Sequence, residues 1–401
     1  MTEPSGQSLR PIAIVLLTAL VALGPISTDV YLPSLPSIGR YFAVDQAETQ
    51  LTLSVFLIGF ASAMLIYGPL SDRFGRRPVL LGGIALFATA SVLCAVAPTI
   101  ETLIGARFLQ ALGACAGPVL CRAVVRDVFG AAGAARVLSY LSAAVALAPA
   151  IGPMIGGVME TWFGWRAQFW GLTVYGILGL AAAIALLPET NRHRDPGAFH
   201  PFAMARTYRM LIGHRRYFGF VLVATFGYSG IFCFISGSSF VFIDVLGLSP
   251  QSFGMCFGVI VVGYIIGAIA GGRLTKRFGI DRMVLTGTAV ALTSSILLTV
   301  LALTVPQSAA SVIVPFFFHL VGIGMTLPNA QAGAIGPFPR AAGAAAALLG
   351  FIQMIVAAGV GAILGQIGTT STLPMCLMIL AMSLLLVASY WWMARPTKKA
   401  V

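Results

Sequence analysis

The chain has 401 residues, 58% hydrophobic and only 9% charged, with a mean hydropathy of +0.95 and a formal net charge of +12. A soluble domain is about a quarter charged, so this composition excludes an ordinary soluble globular protein and points to one immersed in lipid. The excess positive charge sits in short loops between apolar runs, which favours topogenesis and contact with anionic membrane lipids over any nucleic acid.

A membrane-spanning helix needs about 20 apolar residues. Charge-free windows lie at 11–28, 49–71, 78–100, 137–159, 167–188, 217–243 and 245–272. Two longer windows, 283–339 and 341–394, each hold two helices, with breaks at Val305-Pro306-Gln307-Ser308 and Gly368-Thr369-Thr370-Ser371. The interval 101–122 carries Glu101, Arg107 and Arg122, and counting it as a span gives twelve. With the N-terminus inside, 21 of the 24 Lys and Arg fall on the inner side, from Arg10, Arg126 and Arg136 to Arg192, Arg340, Arg395 and Lys399. Arg40 and Arg166 fall outside and Arg107 within a span. This is the positive-inside asymmetry, and it holds only if 101–122 crosses the bilayer. Both termini are then cytoplasmic. Reading the first run as a cleaved secretory signal ending near Ala22-Leu23-Gly24 would spoil the even count. The six cysteines lie in apolar spans without paired spacing and imply neither disulfide nor metal site. A nucleotide-binding loop and a nucleophile constellation are both missing, which argues against an ATP-driven pump, an enzyme and any cofactor.

The loop after the second window, GPLSDRFGRRPV (68–79), crowds one acid and three arginines together. A worn copy follows 204 residues later, where Gly272-Arg273-Leu274-Thr275-Lys276-Arg277-Phe278-Gly279 keeps five identities with Gly68 to Gly75. Both copies follow the second span of a six-span half, the pattern of a parallel repeat in a transporter whose halves rock about a central site. The expected organisation is a first half at 1–187, a linker at 188–214 with an amphipathic piece near 201–213, and a second half at 215–401.

These residues resemble a known family. GPLSDRFGRRPV resembles the loop-two motif of the major facilitator superfamily. RFLQALGACAGPVLCRAVVRD (107–127) resembles the fourth-helix motif of its drug exporters, and APAIGPMIGG (148–157) their fifth-helix antiporter motif, with Ala148 where glycine is usual. STDVYLPSLPSI (27–38) is similar to the first-helix signature of the bicyclomycin and chloramphenicol resistance (Bcr/CflA) subfamily. The resemblance covers about residues 10–395. It implies an all-α membrane protein of twelve transmembrane helices in two six-helix halves. It also implies a proton-coupled drug exporter working by alternating access in the bacterial inner membrane, expected to act as a monomer.

In the loop, Gly68 and Gly75 allow close helix approach and a tight turn. Asp72 can meet a helix N-terminus or an arginine, and Arg73, Arg76 and Arg77 can pair with Asp72, with Asp127 or with lipid phosphate. Such a latch is expected only when the inner gate is shut; the alternative is that these arginines serve topology alone. Lys276 replaces the acid in the second copy, so no equivalent latch is expected there. Gly152, Pro153, Gly156 and Gly157 place small residues on one face with a kink between them, suited to tight packing that resists leak.

A charge deep in hydrocarbon costs about 2.5–3.5 kcal/mol even on the mild insertion scale, so Asp29 and Arg107 are the expected proton-coupling pair. Asp29 lies about 25 Å from the inner edge and Arg107 roughly 8 Å below the outer start of its span, both in the outer third. Apolar walls favour the neutral acid and a nearby cation the ionised one, so an acid poised between them can exchange a proton. The alternatives are an Asp29 held by water and Tyr31, and an Arg107 bonded to backbone carbonyls. A drug cavity should be apolar and sparsely polar. The expected substrate contacts are Tyr31, Phe56, Phe60, Gln110, Tyr228, Phe232, Asn329, Gln331 and Gln353. Packing is the competing role for the aromatic residues, and a packed role is expected for His319. The function expected is export of small amphipathic drugs in exchange for protons; the alternative is a secondary transporter for one metabolite, as exporter or proton symporter.

Overall fold

A computed structural model describes residues 11–191, 194–197, 201–305, 308–368 and 371–394, with the side chains at 131–132, 135–136, 139, 143–144, 201, 203 and 340 excepted. Arg10, Arg192, Arg395 and Lys399, the side chains of Arg136 and Arg340, and the loop residues Pro306-Gln307 and Thr369-Thr370 lie outside the described residues.

The described residues form helices and turns, without a strand. Eleven helices are long and apolar enough to cross a membrane, and the pair Pro11–Val21 and Leu23–Phe42, bent by 42°, makes a twelfth. We call this bent pair span one. Spans two to six are Gln46–Phe74, Arg76–Ala95, Ile100–Gly130, Tyr140–Phe163 and Arg166–Leu186. Spans seven to twelve are Arg215–Val245, Pro250–Phe278, Ile280–Thr304, Ala309–Ile335, Ala342–Ile367 and Leu373–Ala394. The disputed interval 101–122 is thus a span, as its topology required.

Local chemistry sets the span ends. Asp45 caps span two by accepting from the Glu48 N–H at 2.8 Å, and Thr99 and Ser308 open spans four and ten with capping boxes. Gly130, at φ 63 and ψ −179, breaks the helix between spans four and five.

The internal repeat is visible in the structure. Span two (Gln46–Phe74) and span eight (Pro250–Phe278) have 29 residues each and start 204 positions apart. Each ends on a glycine with positive φ, Gly75 at 106° and Gly279 at 82°, after which the next span starts at once. A helix at Pro201–Gly213 follows the linker's first stretch and packs on spans seven and eleven. We refer to the end of the bundle bearing residues 72–77 as the loop end and to the opposite one as the far end.

Candidate transport pathway and gating site

Beyond its bend, span one is interrupted again where its sequence turns proline-rich. Its second helix starts with Leu23–Asp29, and a short 3-10 turn at Leu32–Ser34 holds Pro33, which has no N–H to donate. Asp29 therefore ends a short helical segment just before this turn. It is 3% exposed; its Oδ1 accepts from the Thr28 hydroxyl at 3.3 Å, and its Oδ2 has no partner. Gly152 of span five lies directly on it, since a Cβ there would come within 2.7 Å of the Asp29 Cβ. The antiporter-like motif and the buried acid are thus one contact.

Arg107 is fully buried. Its Nη1 donates to the Ser27 carbonyl at 3.1 Å and to Gln110 Oε1 at 2.6 Å, while Nε and Nη2 find no partner. Its guanidinium carbon lies 4.3 Å from the Phe56 ring centroid, 4.6 Å from that of Tyr31 and 5.9 Å from that of Phe169. Aromatic faces surround the cation in place of a carboxylate, a desolvated setting where each such contact is worth up to about 2 kcal/mol. Asp29 lies on span one and Arg107 bonds to the same span at Ser27, but the two form no ion pair.

The remaining expected substrate contacts divide. Gln110 uses both ends of its amide internally, donating from Nε2 to Ser91 Oγ at 2.8 Å while Oε1 holds Arg107. The Tyr31 hydroxyl meets that of Thr52 at 2.8 Å. Phe56 stacks on Phe60 at 6.3 Å, and Phe232 is buried against the backbone of Gly361 in span eleven. Asn329 is held by the Thr275 hydroxyl and the Met325 carbonyl, and Gln353 is 5% exposed. Tyr228 and Gln331 keep partly open faces. His319 sits stacked on Phe316, with Nδ1 at 3.0 Å from the Ala291 carbonyl. A cavity of about 340 Å³ lies at the far-end rim, beside Arg40, Asp45 and Asp244.

The charged loop is a network joining the first half to the residues just after it. Arg76 binds Asp72 at 2.6 Å, Asp127 at 2.9 Å and the Ser71 hydroxyl at 2.6 Å. Arg77 donates to the Ile184 carbonyl, and Arg73 lies over the Phe74 ring. The sequence reading missed the residues just after span six. The Glu189 carboxylate accepts from the backbone N–H groups of Arg76 and Arg77 at 2.9 and 3.2 Å, capping span three. Asn191 donates to the Ser71 and Asp72 carbonyls at 3.2 and 3.0 Å. An acid and an amide directly after the apolar run were the only available signal. In the second half, Asp281 opens span nine and pairs with Arg216 at 2.8 Å, a different contact from that of the first copy.

The halves meet at the far end. Gln50 Nε2 of span two donates to the Ser236 carbonyl of span seven at 2.9 Å, and Arg40 pairs with Asp244 at 2.9 Å. Span seven ends there in a π-helical turn, Phe240–Val245, a distortion that recurs at functional sites. Gly157 of span five lies against the Pro250 backbone of span eight, and Gly254 against that of Pro153.

Residues 17–362 match the Major Facilitator Superfamily family model. An uncharacterized MFS-type transporter of Bacillus subtilis, YdgK, is 35% identical over 93% of this chain and 92% of its own. A bicyclomycin resistance protein homolog of Haemophilus influenzae is 28% identical over 97% and 98% of the two chains, and multidrug resistance protein D of Escherichia coli 29% over 96% of each. The inward-open xylose transporter XylE of E. coli shares the fold, with a TM-score of 0.75 at 15% identity over 97% of each chain. The twelve spans, the repeat and these relatives make the chain a multi-pass membrane transporter, not an enzyme, and a member of the Major Facilitator Superfamily.

Proposed function

We propose that the protein exports amphipathic antibiotics in exchange for protons by alternating access, as a member of the Bcr/CflA group. The observation carrying this reading is the buried, half-partnered carboxylate of Asp29 against Gly152 of the antiporter-like motif. An acid so placed can take a proton from one side and release it to the other as the path opens in turn. The names of the bicyclomycin and multidrug resistance relatives agree with a drug substrate. In this reading 1–187 and 215–401 are the rocking halves, 188–214 the linker, and the loop end faces the cytoplasm of a bacterial inner membrane. Arg107 fixes the position of span one through Ser27, and Tyr228 and Gln331 face the substrate. The loop network around Asp72, Arg76 and Asp127 steadies the first half as a rigid body.

The test is efflux in a host lacking its own exporters, across phenicols, bicyclomycin and anionic drugs, with and without an uncoupler. The expected result is uncoupler-sensitive export of the neutral compounds and poor export of strong anions. Release or uptake of one metabolite, with no drug moved, would replace this reading with a narrow transporter.

A further inference from the structure

Span five carries a second carboxylate that the coupling reading leaves unused. Glu160 lies in the last turn before Phe163 and is half-buried. Its Oε2 accepts from the Ser34 hydroxyl of span one, and Ser34 accepts in turn from Gln168 Nε2 of span six. Ser34 and Gln168 are fully buried, and Gln168 Oε1 has no partner. Gln168 Nε2 also donates to the Gly156 carbonyl at 3.3 Å.

Among the described residues no cation pairs with Glu160. Arg166, at the start of span six, directs its guanidinium to the Ala95 and Ala97 carbonyls and the Tyr41 ring. Arg40 of span one is taken by Asp244. The other titratable groups of span one here are Asp29, Tyr31, bound to Thr52, and Tyr41, whose hydroxyl accepts from Arg166 at 3.2 Å. Span eight, which meets this end of span five through Pro250 and Gln251, contributes no charge at the contact.

Positions 152, 156 and 160 are four-residue steps along one helix face. Gly152 touches Asp29, Gly156 touches Val30, and Glu160 bonds Ser34. One seam between spans one and five therefore carries an acid at the far mouth and Asp29 about 12 Å deeper, eight residues at 1.5 Å each. Its hydrogen bonds suit either charge state. Ionised Glu160 accepts from Ser34, as observed. Protonated Glu160 can donate to Ser34 Oγ, and a flip of the Gln168 amide gives the Ser34 hydroxyl an acceptor in Oε1.

We propose that Glu160 collects protons at the far mouth and loads Asp29 along this seam, an inference that rests on Asp29 being the coupling acid. A hydronium ion transfers its proton to a Glu160 carboxylate oxygen and leaves as water. When the far end opens, that O–H bond breaks and one forms on Asp29, with admitted water and Ser34 carrying the proton between them. Glu160 returns to its carboxylate.

The test needs no drug. Reconstituted protein is given a pH jump from the far side, and the carboxylic C=O infrared band removed by Asp29→Asn is followed in time. Glu160→Gln keeps an acceptor for Ser34 but cannot take a proton; it should slow the rise of the Asp29 band at least tenfold with its final height unchanged. Glu160→Asp should restore the rate to within about threefold. An unchanged rate in Glu160→Gln overturns this proposal alone. A wild type with no Asp29 band overturns the coupling reading and the proposal with it. A merely structural clasp predicts a normal rate in Glu160→Gln and a loss confined to Glu160→Ala.

Discussion

At 3% exposure Asp29 keeps one carboxylate oxygen without a partner. The cost of holding a charge at such a depth, about 2.5–3.5 kcal/mol, vanishes when a proton binds. Asparagine has nearly the same shape and can keep the Thr28 contact, but it cannot ionise. Asp29→Asn is therefore expected to reach the membrane at wild-type levels and to lose uphill export by about a hundredfold or more, the scale of losing a proton-transferring group. Undiminished uncoupler-sensitive export would remove Asp29 from coupling. Arg107 makes a separate demand, because its partners are a carbonyl, an amide and three rings. Lysine keeps the charge but loses the planar face and the fork of donors. Arg107→Lys should lower export about tenfold, corresponding to about 1.4 kcal/mol of lost positioning. Wild-type export in that variant would show that a bare charge suffices.

Between elements, the turn joining spans two and three depends on Gly75 and Glu189 together. Gly75 adopts φ 106°, and a Cβ there would run into the Glu189 carboxylate. Alanine at 75 incurs about 1–3 kcal/mol of backbone strain, and alanine at 189 uncaps two N–H groups for about 0.5–2 kcal/mol. Because the two share a contact, their effects should not add. Gly75→Ala is expected to lower the thermal midpoint of purified protein more in the wild type than in a Glu189→Ala background; equal drops would mean that the carboxylate does not shape the turn. The turn itself was legible, since four charges in six residues between apolar runs stand out, and so did the spans, because hydrocarbon excludes charge along about 20 residues at a stretch. Glu189 was not legible, as its partners lie 113 and 112 residues away and no period links them. The aromatic cage of Arg107 was hidden for the same reason, with Phe169 arriving from span six. Gln110 was read as a substrate contact because it is polar at mid-membrane, yet Arg107 and Ser91 occupy both ends of its amide. The loop latch was expected to form only with the inner gate shut. Among the described residues its bonds join spans two, three and four to the residues just after span six.

Across the whole molecule, glycines decide how closely the halves can approach. Gly254 and Gly157 let spans five and eight meet backbone to backbone near the far end, while Gly361 and Gly365 let span eleven close on Ser54 and Gln50 of span two. Lipid supplies no hydrophobic drive between helices, so this close packing is what holds the far end together. The exposed Arg40–Asp244 pair adds little, since surface ion pairs are worth about 0–1 kcal/mol. A branched side chain at 254 cannot fit without moving the Pro153 backbone, because packed interiors do not absorb whole methyl groups. Gly254→Val should therefore wedge the halves apart and populate the far-end-open arrangement. Ser236→Cys supplies the reporter, because Ser236 is fully buried and its hydroxyl has no partner to lose. Labelling of that cysteine by a membrane-impermeant maleimide from the far side should rise at least fivefold when Gly254→Val is added, and export should slow as closure becomes harder. Labelling that stays at the single-variant level would mean that the seam between spans five and eight does not gate the far end, and would leave Gln50 and span eleven as its seal.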